Sequence, residues 1–208
     1  MPIFVAMNAT ISIITGDIID SRKVKPETWL PDLKKILDAY GKEPTNWEVY
    51  RGDSFQLEVS PEIVLEAAIH IKATLKQKKG LDVRMGIGLG KKDYDSEKIT
   101  ESNGSAFVYS GECFENLKKQ TLALKSSMTS FDNTINLMLE LAALTMDNWL
   151  PATSRVVKTA LENPEANQKE LAALLETTQS NISEALLRAG FEEVQKLIQF
   201  YKAQLTRT

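Results

Sequence analysis

The run Leu81–Leu89, LDVRMGIGL, restricts the possible folds of this chain more than any other segment. It reads as a strand, and its glycines Gly86 and Gly88, with Gly90 just beyond, permit another backbone to approach closely. Such a strand needs a sheet, and the neighbouring segments supply one. Ala9–Ile14, ATISII, is rich in β-branched residues and reads as a buried strand ending at Gly16-Asp17. Trp47–Val49 and Ser54–Val59 form a hairpin around Tyr50-Arg51-Gly52-Asp53, and Thr121–Ser126 is an edge strand. Apolar residues at helical spacing predict helices over Pro26–Tyr40, Pro61–Lys78, Ala106–Lys119 and Asn133–Trp149, with a polar loop at Lys91–Asn103. The order β-α-β-β-α-β-α-β predicts an α/β, ferredoxin-like α+β fold: a mixed sheet with helices on one face.

At Pro151 the texture changes to short helices with no strand pattern. This predicts a boundary near Asn148–Thr153, with an α/β domain over 1–149 and a small all-α domain over 150–208. The one cysteine, Cys113, excludes an internal disulfide framework. One histidine, His70, beside one cysteine leaves no Cys/His zinc set, so any metal must sit on carboxylates, which selects magnesium, calcium or manganese. No apolar run reaches the length of a membrane span, and MPIFVAMNAT lacks the basic start of a signal peptide. A cytoplasmic location without membrane attachment is the expectation. The net charge of −3 argues against a chain that coats nucleic acid, but not against a small DNA-reading module.

Two carboxylates stand out. Asp17, at the end of the first strand, and Asp53, in the hairpin, each follow a glycine, and adjacent strand ends bring their oxygens towards one point. Phosphoryl transfer on nucleotides needs little more from a protein than divalent ions held in place. Asp20 offers a third carboxylate. The same Gly-Asp pairs also suit plain turns. Arg51 and Arg84 are candidate phosphate ligands, with Arg84 equally readable as a solvent-side strand residue. Lys91 and Lys92 read as a solvated pair, His70 as structural and Cys113 as packing.

These segments resemble the class III nucleotidyl cyclase family. Thr15-Gly16-Asp17-Ile18-Ile19-Asp20 resembles the end of its first strand, Arg51-Gly52-Asp53-Ser54-Phe55 its metal-binding hairpin, and Val83–Gly90 its Val-Arg-(apolar)-Gly-Ile strand. Order and spacing agree over about Ile11–Leu117. The resemblance implies a palm-like cyclase fold and a magnesium or manganese site on Asp17, the Ile18 carbonyl and Asp53. It also implies nucleotide contacts from Arg51, Gly52 and Arg84, and a homodimer. The whole chain is similar to the bacterial SatD-type family, which joins such a domain to a helix-turn-helix. The chain departs from the cyclase pattern at the transition-state pair. An Asn and an Arg four residues apart fall on Val108 and Glu112 in one register, and on Glu115 and Lys119 in the other. The base-selecting position falls on Val49.

The tail carries the second motif. Asn167–Leu187 reads NQKELAALLETTQSNISEALL, with Leu171, Ala172 and Leu175 on one face of a first helix (Gln168–Leu175). A turn follows at Glu176–Thr178, and a second helix carries Ile182, Leu186 and Leu187. This resembles bacterial helix-turn-helix segments, and Thr178 is the expected N-cap. Gln179, Ser180, Asn181, Ser183 and Glu184 would face base edges, with Lys169, Arg188 and Lys196 near phosphates. The bland reading is a packing or dimerisation module, since residues 151–208 hold seven Lys/Arg and seven Asp/Glu. The leading expectation is a DNA-binding transcriptional regulator with a metal- and nucleotide-binding cyclase-like domain. The alternative is a metal-dependent nucleotidyltransferase or divergent cyclase.

Overall fold

A computed structural model of the chain describes residues 10–206; Ala9, expected to open the first strand, lies outside them. The sheet elements are β1 (Thr10–Ile19), β2 (Trp47–Tyr50), β3 (Ser54–Val59), β4 (Asp82–Lys91) and β5 (Leu122–Lys125). Among them lie α1 (Leu30–Asp38), α2 (Val64–Leu75), α3 (Ser105–Glu115) and α4 (Thr129–Met146). Then follow α5 (Pro151–Glu162), α6 (Gln168–Leu174), α7 (Gln179–Ala189) and α8 (Phe191–Leu205). The expected mixed α/β architecture is present. The strands order as β2-β3-β1-β4-β5, with only the β4–β5 pair parallel. Among the described residues no helix is long and apolar enough to cross a membrane.

Two expectations need correction. The first strand does not stop before Asp17: β1 runs to Ile19 because β3 and β4 flank it, pairing Asp17 with Ser54 and with Arg84. Nor do the helices share one face. Residues paired directly across strands point the same way, so Ile14, Ile18, Val83, Met85, Ile87 and Leu89 form one apolar face, in the same core as residues of α1, α2 and α4. The glycines of β4 line the opposite face, and α3 lies on them. A β-carbon at Gly88 would fall 2.1 Å from the Ala106 carbonyl oxygen and 2.4 Å from the Ser110 nitrogen. One at Gly86 would fall 2.5 Å from the Phe114 nitrogen. Thr15 and Ser110 join their hydroxyls at 2.9 Å across the same seam. Glycine is required here because helix backbone, not side chain, meets the strand.

Of the helices after Pro151, α5, α7 and α8 share this core. Val194, Leu197, Ile198, Tyr201 and Leu205 of α8 belong to the same buried cluster as α2 and the sheet. The Tyr201 hydroxyl donates to the Pro61 carbonyl at 2.8 Å, and the Trp149 indole N–H donates to the Ala189 carbonyl at 3.0 Å. A smaller cluster joins Val156 and Ala160 of α5 to Leu171, Ala172, Ile182 and Ala185 of α6 and α7. Thus α5 is the floor on which α7 rests.

Gly88→Ala should cost about 2–3 kcal/mol as α3 is forced off β4. Gly111→Ala, on α3 with open space around the new methyl, should instead stabilise by up to about 1 kcal/mol through helix propensity. Urea denaturation of both variants checks the contrast; equal effects would contradict the close-approach account.

Candidate functional site

The carboxylate region is built by three adjoining segments: the end of β1, the β2–β3 turn and the start of β4. Asp17 and Arg84 sit opposite each other on the face that carries α3. Their side chains make a two-pronged ion pair, with Nε to Oδ1 at 2.6 Å and Nη2 to Oδ2 at 2.8 Å. The guanidinium also lies over the Phe114 ring, 4.9 Å from its centre. Bonding to Asp17 raises the Arg84 pKa, and the charge of Asp53 adds to that field. Arg84 is therefore neither a free strand residue nor a free phosphate ligand; it neutralises Asp17.

Asp53 approaches from the turn. Its backbone oxygen accepts from the Ile18 N–H at 3.1 Å, which closes the hairpin over β1, and its Oδ2 accepts from the Ser21 hydroxyl at 2.5 Å. Arg51 and Gly52 form the exposed tip with positive φ angles of 54° and 94°. Glycine accepts that conformation freely, while arginine is strained in it. Asp20 pairs with Lys23 at 2.9 Å on the surface rather than with Asp17. Among the described residues no group of three or more His, Cys, Asp or Glu side chains is arranged to hold a metal ion. The donors available to a divalent ion are the carboxylates of Asp17 and Asp53 and the Ile18 carbonyl, and an ion would have to displace Arg84 from Asp17.

A basic groove lies beside Asp53, and of its cations only Arg51 was legible as a ligand contact from the sequence. An open groove of about 460 Å³ runs between the β2–β3 turn and the two single 3-10 turns that follow β1. Arg22, Lys23, Lys25 and Arg51 line it against one carboxylate, Asp53, with Trp29 among its walls. The run Ser21-Arg22-Lys23-Val24-Lys25 was the sequence clue, but its cations gain meaning only when the turn brings Arg51 opposite them.

Several tempting residues have other work. Lys92 pairs with Glu58 at 2.6 Å and Asp95 at 2.7 Å. Glu112 pairs with Lys125 at 2.7 Å, and Val108 is exposed. Burial pushes the Cys113 thiol up to about 11, so it is no activated nucleophile.

A second region lies on α6 and α7. Asn167 accepts from the N–H groups of Lys169 (2.9 Å) and Glu170 (3.2 Å), and Glu170 accepts from the Asn167 N–H at 2.8 Å. This reciprocal capping fixes where α6 begins. Thr178 accepts from the Asn181 N–H at 3.2 Å and so starts α7. Ala172 packs with Ile182 and Ala185 at the small core between the two helices. Gln179, Ser180, Asn181, Ser183, Glu184 and Arg188 are all exposed on α7, and Lys169 on α6. Asn181 donates to the Thr177 hydroxyl at 2.9 Å, and Arg188 lies 3.5 Å from Glu184. Leu187, grouped in sequence with the apolar residues of this helix, points outward at 82% exposure.

No family model matches this chain, and no curated protein is similar enough to match it.

Thr178→Ala removes the cap that positions Ser180 and Asn181. It should cost about 1 kcal/mol and lower Tm by roughly 2–4 °C for a chain of this size, with Thr178→Ser close to wild type. Thermal unfolding followed by circular dichroism is the check, and an unchanged Tm would show that the cap contributes nothing.

Proposed function

We propose that this chain is a DNA-binding regulator whose sheet region takes a phosphate-bearing, nucleotide-like ligand. The observation that carries the DNA reading is the outward face of α7. It presents amide and hydroxyl side chains from a capped N-terminus, with α6 braced behind it. A recognition helix needs this arrangement to lay short polar groups along base edges. Positive charge near it is sparse, so phosphate attraction is weak per copy, and a homodimer reading two half-sites supplies the missing affinity. The helix-turn-helix resemblance and the SatD-type resemblance point the same way.

The ligand reading rests on the groove beside Asp53, where Arg22, Lys25 and Arg51 stand with one lining carboxylate and Lys23 is held by Asp20. Excess positive charge in a concave site concentrates anions, and Trp29 offers an apolar wall. In this reading Asp17 and Asp53 would hold a magnesium or manganese ion, which would supply positive charge to the ligand's phosphates, and Arg84 would be released from Asp17 to a phosphate oxygen. The cyclase-like fold and its dimeric arrangement belong to the same proposal.

A second reading is a metal-dependent nucleotidyltransferase or divergent cyclase. The nearness of Asp17, Arg84 and Asp53 favours it, because two carboxylates that could hold a metal stand beside an arginine that could turn to a phosphate. Against turnover stands the lack of the Asn–Arg pair: one register offers apolar Val108 and Glu112, the latter held by Lys125, and the other offers Glu115 and Lys119. Loss of one preorganised donor typically costs about 10²–10³ in rate.

Selection from a random duplex pool should enrich a site with two related halves about one helical turn apart. Asn181→Ala should weaken binding to that site by about 1–3 kcal/mol while leaving Tm nearly unchanged. Absence of any enrichment, with no binding at low salt, would overturn the DNA reading.

Titration calorimetry with ATP or GTP and Mn²⁺ tests the ligand site. Binding should fall at least about tenfold in a Lys25→Glu, Arg51→Glu double variant, each added carboxylate facing an anion. A parallel assay for pyrophosphate and cyclic product should show little or no turnover. Robust turnover abolished by Asp53→Ala would replace the regulator with the enzyme.

A further inference from the structure

The described residues cover α4 on one side only. Ile135, Leu139 and Met146 are buried in the core, with Phe131 at the helix start. On the other side Leu137, Leu141 and Leu144 stand 59%, 61% and 71% exposed. Their spacing, four residues and then three, lines them along one stripe of the helix. From Leu137 to Leu144 the one polar residue is Glu140, which accepts from the Gln120 amide. A helix apolar on every side over about two turns belongs between two packing surfaces. Single exposed leucines are ordinary, but a contiguous stripe of them marks a contact site.

Beside this ridge lies a groove. Between α4 and α8 opens an apolar hollow of about 370 Å³, walled by Met138, Leu141, Ala142, Val194 and Leu197, with Glu193 its one charged lining residue. An apolar cavity of about 150 Å³ takes a benzene-sized group, so this hollow has room for roughly two leucine side chains. Gly190, where α7 ends, borders the same groove and sits against Thr145: a β-carbon there would lie 3.3 Å from the Thr145 hydroxyl.

The chemistry of the face selects its occupant. Helix α4 carries no lysine or arginine, and its other carboxylate, Asp132, is buried against Ser126. An anionic lipid surface finds no cation on it, and the carboxylates Glu140 and Glu193 flank the apolar strip rather than interrupt it. The occupant has to bring uncharged aliphatic side chains at helical spacing, and the same face of another copy supplies them. A ridge and a groove side by side on one surface are self-complementary. A twofold axis running along α4 lays the ridge of each copy into the groove of the other.

We propose that the outer face of α4, with the groove it shares with α8, is the contact through which two copies of this chain dimerise. The 18 residues of α4 run about 27 Å, and with the facing side of α8 the strip is roughly 20 Å across. That gives roughly 500 Å² per copy, or about 1,000 Å² in all, the size of a weak but specific interface. The contact places the homodimer that the DNA reading calls for, yet it rests on the α4 face and not on DNA binding.

Sedimentation equilibrium of the full chain without DNA, from about 1 to about 200 µM, should show a monomer–dimer equilibrium in the micromolar range. Added salt should leave it unchanged or strengthen it, because the charges at the rim are carboxylates alone. Leu141→Glu and Leu141→Lys should each weaken it at least about 100-fold, since like charges then meet across the axis. Their Tm should stay unchanged, the side chain being exposed in the single chain. Mixed in equal amounts, the two variants should associate at least about tenfold more tightly than either alone, as opposite charges now meet. If a Leu141 variant loses Tm, the same pair of substitutions at Leu144 takes its place. A chain that stays monomeric throughout overturns the proposal, as does a monomer that binds phosphatidylcholine vesicles through Leu141. A dimer indifferent to both variants also overturns it, and moves the homodimer to another face. Weakening without recovery on mixing refutes the twofold pairing. Failure to select a DNA site while this dimer forms would sink the DNA reading and leave the contact standing.

Discussion

The structure depends on the complete burial of α2. Every residue of this helix except Glu66 is buried, including His70, Lys72 and Thr74. A helix that is apolar on every side must be covered on every side. The sheet covers one flank, α1 another, and α5 and α8 close the rest, which ties the residues beyond Pro151 to the sheet. Charge is buried with it. Lys72, fully inaccessible, bonds Asp82 at 2.7 Å and Asp147 at 2.8 Å, and Lys76 bonds Asp82 at 2.9 Å. Two cations against two carboxylates leave no uncompensated charge, whereas breaking a pair of this kind typically costs about 3–5 kcal/mol. The network joins α2, the start of β4 and the end of α4 at the point where the helical tail departs.

The same start of β4 carries Arg84, two residues beyond Asp82. Asp17 is therefore neutralised on a strand whose position is set by the buried network rather than by a flexible loop. A charged pair held so firmly keeps this end of the inner strands electrically quiet, while Arg22, Lys25 and Arg51 stand around the groove beside Asp53. That separation distinguishes a paired carboxylate from a surface able to attract an anion. It also explains why Asp17 says less about a ligand here than Arg51, which stands in the sequence pattern, and Arg22 and Lys25, which join it only in the fold.

Much of the fold was legible from residue pattern. The strands around Ile14, Leu57 and Ile87, the helices around Leu33, Ile71 and Leu139, and the α6–turn–α7 unit all follow from local periodicity and capping. Thr178 was readable as a cap because a hydroxyl followed by an opening helix is a local arrangement. Asp17 was misplaced at a strand end because Gly16-Asp17 looks like a turn, while the partners on both sides that extend the strand come from segments far away in the chain. Leu187 looked apolar and hence inward, but its outward position follows from which side of α7 rests on α5.

Local spacing was thus enough to order the elements and to mark Gly86, Gly88 and Gly90 as places where a backbone comes near. Which backbone comes near, and on which face, was settled only by folding, because strand periodicity does not say which helix covers each side. The same holds for the charges. A sequence lists carboxylates and cations, but whether Asp17 meets Arg84, or Lys72 meets Asp82, depends on chain segments brought together from 10 to 67 residues apart. His70 shows it most plainly: one residue among apolar neighbours in the sequence, it acquires Tyr40 because α1 packs on α2 and Glu162 because α5 folds back onto α2.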